Sequence, residues 1–362
     1  MKNTFGNNLT ITIFGESHSD YIGAVLDGIA PGIEIDDEYI KSKLAMRRPH
    51  GKISTARVEA DGYEIISGAK DSRTTGAPLC ILIKNENKKS GDYAPLADTP
   101  RPSHADYAAH CKYHGFEDYR GGGHFSGRIT AAVVAACAII ESALEKKGIF
   151  VGTHIKELHG IKDVPFSNLK CDIEKLGERI FPVLSDTSEE KMREVIESAA
   201  KDGNSVGGIL ETAVIGVPAG VGEPWFDTLE SMLSHAIFAI PAVKGVEFGL
   251  GFGYSDLFGS EANDPLCTDG EKIYTESNNC GGICGGISNG MPIIFSTAVK
   301  PTPSIFKEQK TVSLSRMENT TLTLSGRHDP AIIHRVRAVV DALTAFVIAD
   351  MLTTKYGTDY LA

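Results

Sequence analysis

Two histidines stand where loops meet cations. His18 lies in "FGESHSD", directly after a strand-like run, and His104 lies in "RPSHADY", three residues after Arg101. Imidazole titrates near neutral pH, so a loop histidine beside cations is a candidate proton donor. The same placement suits a hydrogen-bonded structural histidine, and the local sequence does not separate the two. Asp329, in "GRHDP", is also ambiguous. Asp before Pro is first of all a helix start, with Asp329 as N-cap and Pro330 in the first turn, but the carboxylate could also act as a base.

Cations gather beside glycines and at element ends: Arg47, Arg48, Lys52, Arg57, Arg101, Arg120, Arg128, Lys300, Arg327, Arg335 and Arg337. Glycine lets backbone approach a ligand closely, and arginine adds two-pronged contacts to phosphate or carboxylate. As a group they predict a site for anionic small molecules. The stretch "YRGGGHFSGR", Tyr119 to Arg128, lacks the lysine and Ser/Thr of a nucleotide P-loop, and "GLGFG" lacks dinucleotide-fold spacing. His110, Cys111 and His114 could share a helical face, but no second ligand pair accompanies them, so no metal site is expected.

These residues need a frame. Strand-like runs occur at "NLTITIF", "GAVLDGIAPGIEI", "GYEIISG", "APLCILIKN" and "GGILETAVIGVP". A first helix fits "DDEYIKSKLAMRR", capped by Asp36 and stopped by Pro49. Residues 85 to 126 form a long polar and aromatic stretch with little periodicity, the kind of segment that carries function. The run "GRITAAVVAACAIIESALEKKG" is apolar on most faces and predicts a buried central helix ending at Gly148. "DTSEEKMREVIESAAKDG" predicts an amphipathic helix with a capping box at Thr187 and Glu190. Further helices are expected in "DTLESMLSHAIFAI" and from Asp329 through "AIIHRVRAVVDALTAFVIADML". No linker divides the chain, so one α+β domain over residues 1–362 is expected. Both halves run from strands to a long apolar helix, a faint sign of duplication.

The formal net charge of −11, from 36 Lys+Arg against 47 Asp+Glu, argues against a nucleic-acid partner. A local arginine cluster can still oppose that global charge. The seven cysteines form no CxxC pair and read as reduced thiols of a cytoplasmic protein. The N-terminal segment has no signal-peptide core, and no apolar run suggests a membrane span.

Taken together, the segments "FGESH", "RRP", "TTGAPL", "SGDY", "RPSHADY", "YRGGG", "GVPAGVGEP", "AVKGVEFGLGF", "NNCGGICGGISNGMP", "KPTPSI" and "GRHDP" resemble, in order and over nearly the whole chain, the chorismate synthase family. The resemblance implies a single-domain β-α-β sandwich with helices between two outer β-layers, assembled as a homotetramer. It implies the anti-1,4-elimination of phosphate from 5-enolpyruvylshikimate 3-phosphate, giving chorismate, the last common step of the shikimate pathway. Reduced FMN is required without net oxidation, and an external flavin reductase would supply it, since no reductase domain is recognisable.

Residue roles follow from the resemblance. His18 would protonate the leaving phosphate, His104 would stabilise reduced flavin, and Asp329 would act as base near flavin N5. Each role calls for a group whose pKa its surroundings shift. Flavin contacts would come from His124, Phe125, Ser126, Pro241, Ala242, Gly285, Lys300, Pro301, Thr302, Pro303, Ser304 and Arg327. Substrate contacts would come from Ser17, Arg48, Arg57, Arg101 and Arg128. The resemblance also puts an NADP contact at Arg47 and Lys52, for which a chain without reductase activity has no evident use.

The chain departs from the family pattern at several points. Ser19 replaces a glycine, Met46 an arginine and Asp341 a glutamate. After the triple glycine, His124 and Phe125 stand where the family commonly has an arginine and a small residue, which makes a fixed charge titratable. Two rival readings therefore stay open: a related enzyme with a changed substrate, and a flavin binder without catalysis.

Overall fold

The computed structural model describes residues 2–54, 60–86, 96–326 and 328–362, with the Lys52 side chain left out. Arg57 and Arg327, and the "SGDY" segment, therefore lie outside the described residues.

Two five-stranded antiparallel sheets form the outer layers. The first orders Thr4–Phe5, Thr10–Gly15, Tyr21–Asp27, Leu79–Lys84 and Tyr63–Ser67. The second orders Val243–Phe248, Ile293–Val299, Gly208–Ile215, Phe150–Leu158 and Ile161–Lys162. Strand alternation sets which face is buried. In "LCILIK", Leu79, Ile81 and Ile83 are fully buried, and they stand in register with Leu26, Ala24 and Ile22 of the neighbouring strand. A slip of one residue would turn that entire set toward solvent.

Between the sheets run two long helices. Thr130–Lys146 is buried continuously from Ala131 to Leu144, as its nearly all-round apolar sequence requires. It packs on the first sheet, and Ile333–Tyr356 packs on the second; the two helices also pack on each other. The result is the expected sandwich with helices inside, around one hydrophobic core. Gly127–Lys146 is long and apolar enough to cross a membrane, but 89% of it is buried inside the fold, as a core helix would be.

Local signals held at most helix ends. Asp36 caps the Asp37–Arg47 helix by accepting from the Tyr39 N–H at 3.0 Å. Two expectations fail. The helix Asp186–Lys201 starts from Ser185, so Thr187 lies inside its first turn and makes no capping box. Asp163 fixes this entry instead, accepting from the N–H groups of Leu184 (2.6 Å) and Ser185 (3.1 Å). The last helix begins only at Ile333, so Asp329 is not its N-cap. The Pro330 carbonyl accepts from the Val206 N–H at 2.9 Å, which ties this segment to the stretch before strand Gly208–Ile215 ahead of the helix start.

The long polar stretch contains a helix, Asp106–Tyr113, that ends at His114 in the left-handed conformation (φ 58°). His110 turns to Glu117 at 3.2 Å, and no metal-ligand cluster exists among the described residues.

Candidate active site

The triple glycine brings the two histidines together. Gly121, Gly122 and Gly123 all have positive φ (58°, 86° and 53°). A Cβ on Gly121 would lie 2.4 Å from His18 Cε1 and 2.8 Å from Ser17 Oγ, and one on Gly122 would lie 3.1 Å from His104 Cε1. Consecutive residues of one loop thus pack against both rings, and only glycine permits that conformation and that closeness. Ser17 N–H donates to the Gly123 carbonyl at 3.0 Å, and His124 Nδ1 bonds the Gly15 carbonyl at 2.7 Å. The loop is stitched to the end of strand Thr10–Gly15, where His18 follows.

His104 is oriented from below. Its Nδ1 lies 2.5 Å from Asp106 Oδ1, and Arg101 grips the same carboxylate through Nε and Nη2, each at 2.8 Å. With Nδ1–H donated to Asp106, Nε2 is left for a ligand. Burial lowers the His104 pKa; Asp106 opposes this, Arg101 adds to it, and the net shift is downward. Burial pushes Asp106 up, but hydrogen bonds from Arg101 and His104 outweigh it and hold the carboxyl well below its usual range. Arg101 Nη1 reaches Ser304 Oγ at 3.3 Å, linking this cluster to "KPTPS".

Asp61 is the second organiser, and nothing in the local sequence marks it. It is 5% exposed, at φ 52°, and pairs with Arg128, with Arg47 (3.7 Å) and with Arg48 (3.7 Å). Burial raises its pKa, but Arg47 and Arg128 outweigh that and hold it below the usual carboxylate value. Arg128 also donates to Asn85 Oδ1 at 2.8 Å. One carboxylate thereby holds three like charges side by side, a geometry they would otherwise resist.

These groups border one cavity of about 740 Å³, in the upper range for small-molecule sites. Its walls carry His18, His104 and Asp329 together with Arg47, Arg101, Arg128, Lys244, Lys300 and Arg335. Asp329 is paired to Arg335 at 2.8 Å, and Arg335 Nε donates to the Arg47 carbonyl at 2.8 Å. The cavity is thus locally cationic in an acidic protein, as anionic ligands require. Burial, then Lys244, lowers the Lys300 pKa.

The walls also hold His124, Phe125, Ser126, Pro241, Ala242, Thr302, Pro303 and Ser304. Ala242 takes φ 77°, and its carbonyl accepts from Lys300 N–H at 2.9 Å, which joins two of the expected flavin segments. Phe125 packs edge-on against Tyr113, with ring centroids 6.1 Å apart. Ser17 is buried behind His18, and Arg48 reaches the site through Asp61.

Four of the expected residues stand outside the cavity walls. Gly285 sits exposed in a hairpin turn away from the cavity walls, and Pro301 packs against Gly207. Arg337, from the cation group, is buried in the helix layer, 3.8 Å from Asp341. Arg120 is turned to Asp118 at 2.8 Å. Besides Asp61, sequence reasoning missed Asp106 and His328 as wall or support residues; only "HAD", with a carboxylate two residues after His104, carried a usable signal.

The sequence model of the chorismate synthase family matches residues 9–353. The chain belongs to the chorismate synthase family. It is 44% identical over 348 residues to the chorismate synthase of Thermococcus kodakarensis, covering 96% of each chain. It is 46% identical over 359 residues to that of Dehalococcoides mccartyi strain BAV1, covering 97% of this chain and 96% of the other. A crystal structure of chorismate synthase superposes with TM-score 0.76 at 27% identity, over 98% of this chain and 94% of that one. The family is one of carbon–oxygen lyases acting on phosphates, and the sandwich described above is its fold.

Proposed function

We propose that this chain makes chorismate from 5-enolpyruvylshikimate 3-phosphate by anti-1,4-elimination of phosphate, with reduced FMN as cofactor. One observation carries the reading: His18, His104 and Asp329 border a single cation-lined cavity. Its walls fit two anionic ligands. Thr302 Oγ1 and His328 Nε2 are buried polar wall atoms without a hydrogen-bond partner among the described residues, and so is Ser17 Oγ behind them. Such atoms are costly unless a ligand satisfies them.

The residues would divide the work as follows. Arg48, Arg101 and Arg128, with Ser17, hold the carboxylates and phosphate of the substrate; Arg57 joins them by resemblance. His18 gives its proton to the departing phosphate oxygen, which the surrounding cations also stabilise. The flavin would be held by "KPTPS", by Pro241–Ala242 and by the His124–Ser126 loop, with Arg327 by resemblance. Reduced FMN, when bound, supplies the electron density that loosens the allylic C–O bond. His104 presents Nε2 because Asp106 occupies Nδ1, and Asp329, steadied by Arg335, serves as the base on the flavin side. NADP finds no separate use here, because Arg47 is committed to Asp61.

An external flavin reductase, a cytoplasmic location and a homotetramer complete the proposal. Trp225, Phe226, Phe252 and Phe258 are each more than three-quarters exposed, which favours assembly, since such apolar surface is usually covered. Anaerobic incubation with chemically reduced FMN and the enolpyruvyl phosphate should release phosphate and chorismate in equal amounts. FMN binding without release would favour the non-catalytic binder, and release from another phosphate ester alone would favour a changed substrate.

A further inference from the structure

His328 lies in the cavity wall next to Asp329 but has no role in the scheme above. Its ring is tilted against Phe306, with centroids 5.4 Å apart, on the same side as the "KPTPS" segment. One ring nitrogen is accounted for: the imidazole bonds the backbone of Ser325 in the sense that favours its protonated form, so its N–H donates to a carbonyl. The other, Nε2, is buried and has no partner among the described residues. The N–H at Ser325 must therefore be Nδ1–H.

Burial and the nearby Arg101 lower the pKa of this ring, so it is neutral at physiological pH. A neutral ring with Nδ1–H committed leaves a bare lone pair at Nε2. Charged residues in the wall are cationic apart from Asp329 and Asp61, both of them paired to arginines, and a further cation there would be repelled. What the position lacks is a hydrogen-bond donor, and no described side chain supplies one.

We propose that His328 is a cofactor-contacting residue whose Nε2 accepts a hydrogen bond from a ring N–H of the bound flavin. This rests on the flavin reading above, because the neighbouring "KPTPS" wall is the one assigned to the flavin there. The substrate offers a competing donor, a ring hydroxyl, and the test separates them.

The test measures binding, apart from turnover. FMN is titrated by fluorescence against the wild type, His328→Phe, which keeps the ring but loses the acceptor, and His328→Gln, which restores an acceptor near Nε2. The enolpyruvyl phosphate is titrated by calorimetry on the same proteins without flavin. Phe should weaken FMN binding about 10-fold, the size of one hydrogen bond, Gln should recover most of it, and substrate affinity should be unchanged. Anaerobic titration with reduced FMN identifies the donor. Equal loss for both redox forms assigns the ring N–H common to them, and loss confined to the reduced form assigns an N–H that only the reduced ring carries, at N1 or N5. Equal affinity of all three proteins for both the oxidised and the reduced flavin would overturn the proposal, as would a loss confined to substrate binding. Gln behaving like Phe would also overturn it, leaving only a packing role against Phe306. If His328→Phe does not fold, His328→Asn against His328→Gln makes the same comparison. A wild type that binds no FMN would instead refute the flavin reading itself.

Discussion

His104 Nδ1 stands 2.5 Å from Asp106 Oδ1, and this contact decides which ring nitrogen a ligand meets. Asp106 opens the helix Asp106–Tyr113 two residues after His104, so the pairing is local, but the carboxylate is also clamped by Arg101. Asp106→Asn keeps the shape and removes the charge. His104 would lose the group that opposes its downward pKa shift, and Arg101 would lose its anchor. We expect kcat with reduced FMN to fall on the order of 100-fold, with an unchanged circular dichroism spectrum. A kcat within twofold of the wild type would show that ring orientation does not matter to the reaction.

The glycine loop yields a sharper contrast. A Cβ at Gly121 meets the His18 ring at 2.4 Å, on a backbone at φ 58°, whereas one at Gly127 meets nothing within 4 Å. Gly121→Ala should therefore displace His18 and destabilise the fold by about 1–3 kcal/mol, while Gly127→Ala should leave melting and phosphate release nearly unchanged. The pair is measured by thermal melting and turnover side by side. Similar effects of the two substitutions would contradict the packing described here.

How much of this was legible beforehand depends on range. The strands, the buried helix and the cation-rich, histidine-bearing loops follow from short patterns: the strand-like run "LCILIK", all-round apolarity in "AAVVAACAIIESAL", and glycines beside arginines; the layered sandwich came only from the family resemblance. The family motifs then named the residues that converge on the cavity. Asp61 was not legible, because nothing local marks a buried carboxylate whose three partners come from the first helix's end and from Arg128, 67 residues away. Asp329 was misread as a cap for a related reason. Its "DP" signal is local, but the Pro330 carbonyl is claimed by Val206 from across the fold. His328 looked like the middle of a motif until its unpartnered nitrogen appeared in the wall.

Because Asp329 caps no helix, Asp329→Asn separates stability from chemistry. The variant loses an ion pair to Arg335 whose side chains are each 17% exposed, and no backbone cap. Melting should drop by no more than a few degrees, since a partly solvated pair contributes about 1 kcal/mol or less. Turnover should fall on the order of 100-fold or more if the carboxylate is the base. A large loss of melting temperature with near-normal turnover would reverse that assignment.

Asp341 provides a pH signature in the core. It is buried beside Arg337 at 3.8 Å, and its Oδ1 accepts from Thr153 Oγ1 at 2.5 Å. Burial raises its pKa to about 7, against the opposing pull of Arg337. The folded state therefore holds a proton there that the unfolded chain releases near its ordinary value of 3.8. Between those two values the native state binds more protons, so this group's contribution to stability is fully present below the unfolded pKa and is lost as pH rises toward 7. The slope is at most about 1.4 kcal/mol per pH unit. Urea unfolding of the wild type and of Asp341→Asn at pH 5 and pH 7.5 isolates it. The wild type should lose stability relative to the variant on going to the higher pH. A difference between the two proteins that does not change with pH would show that Asp341 is already ionised in the fold, held by Arg337 rather than neutralised by burial.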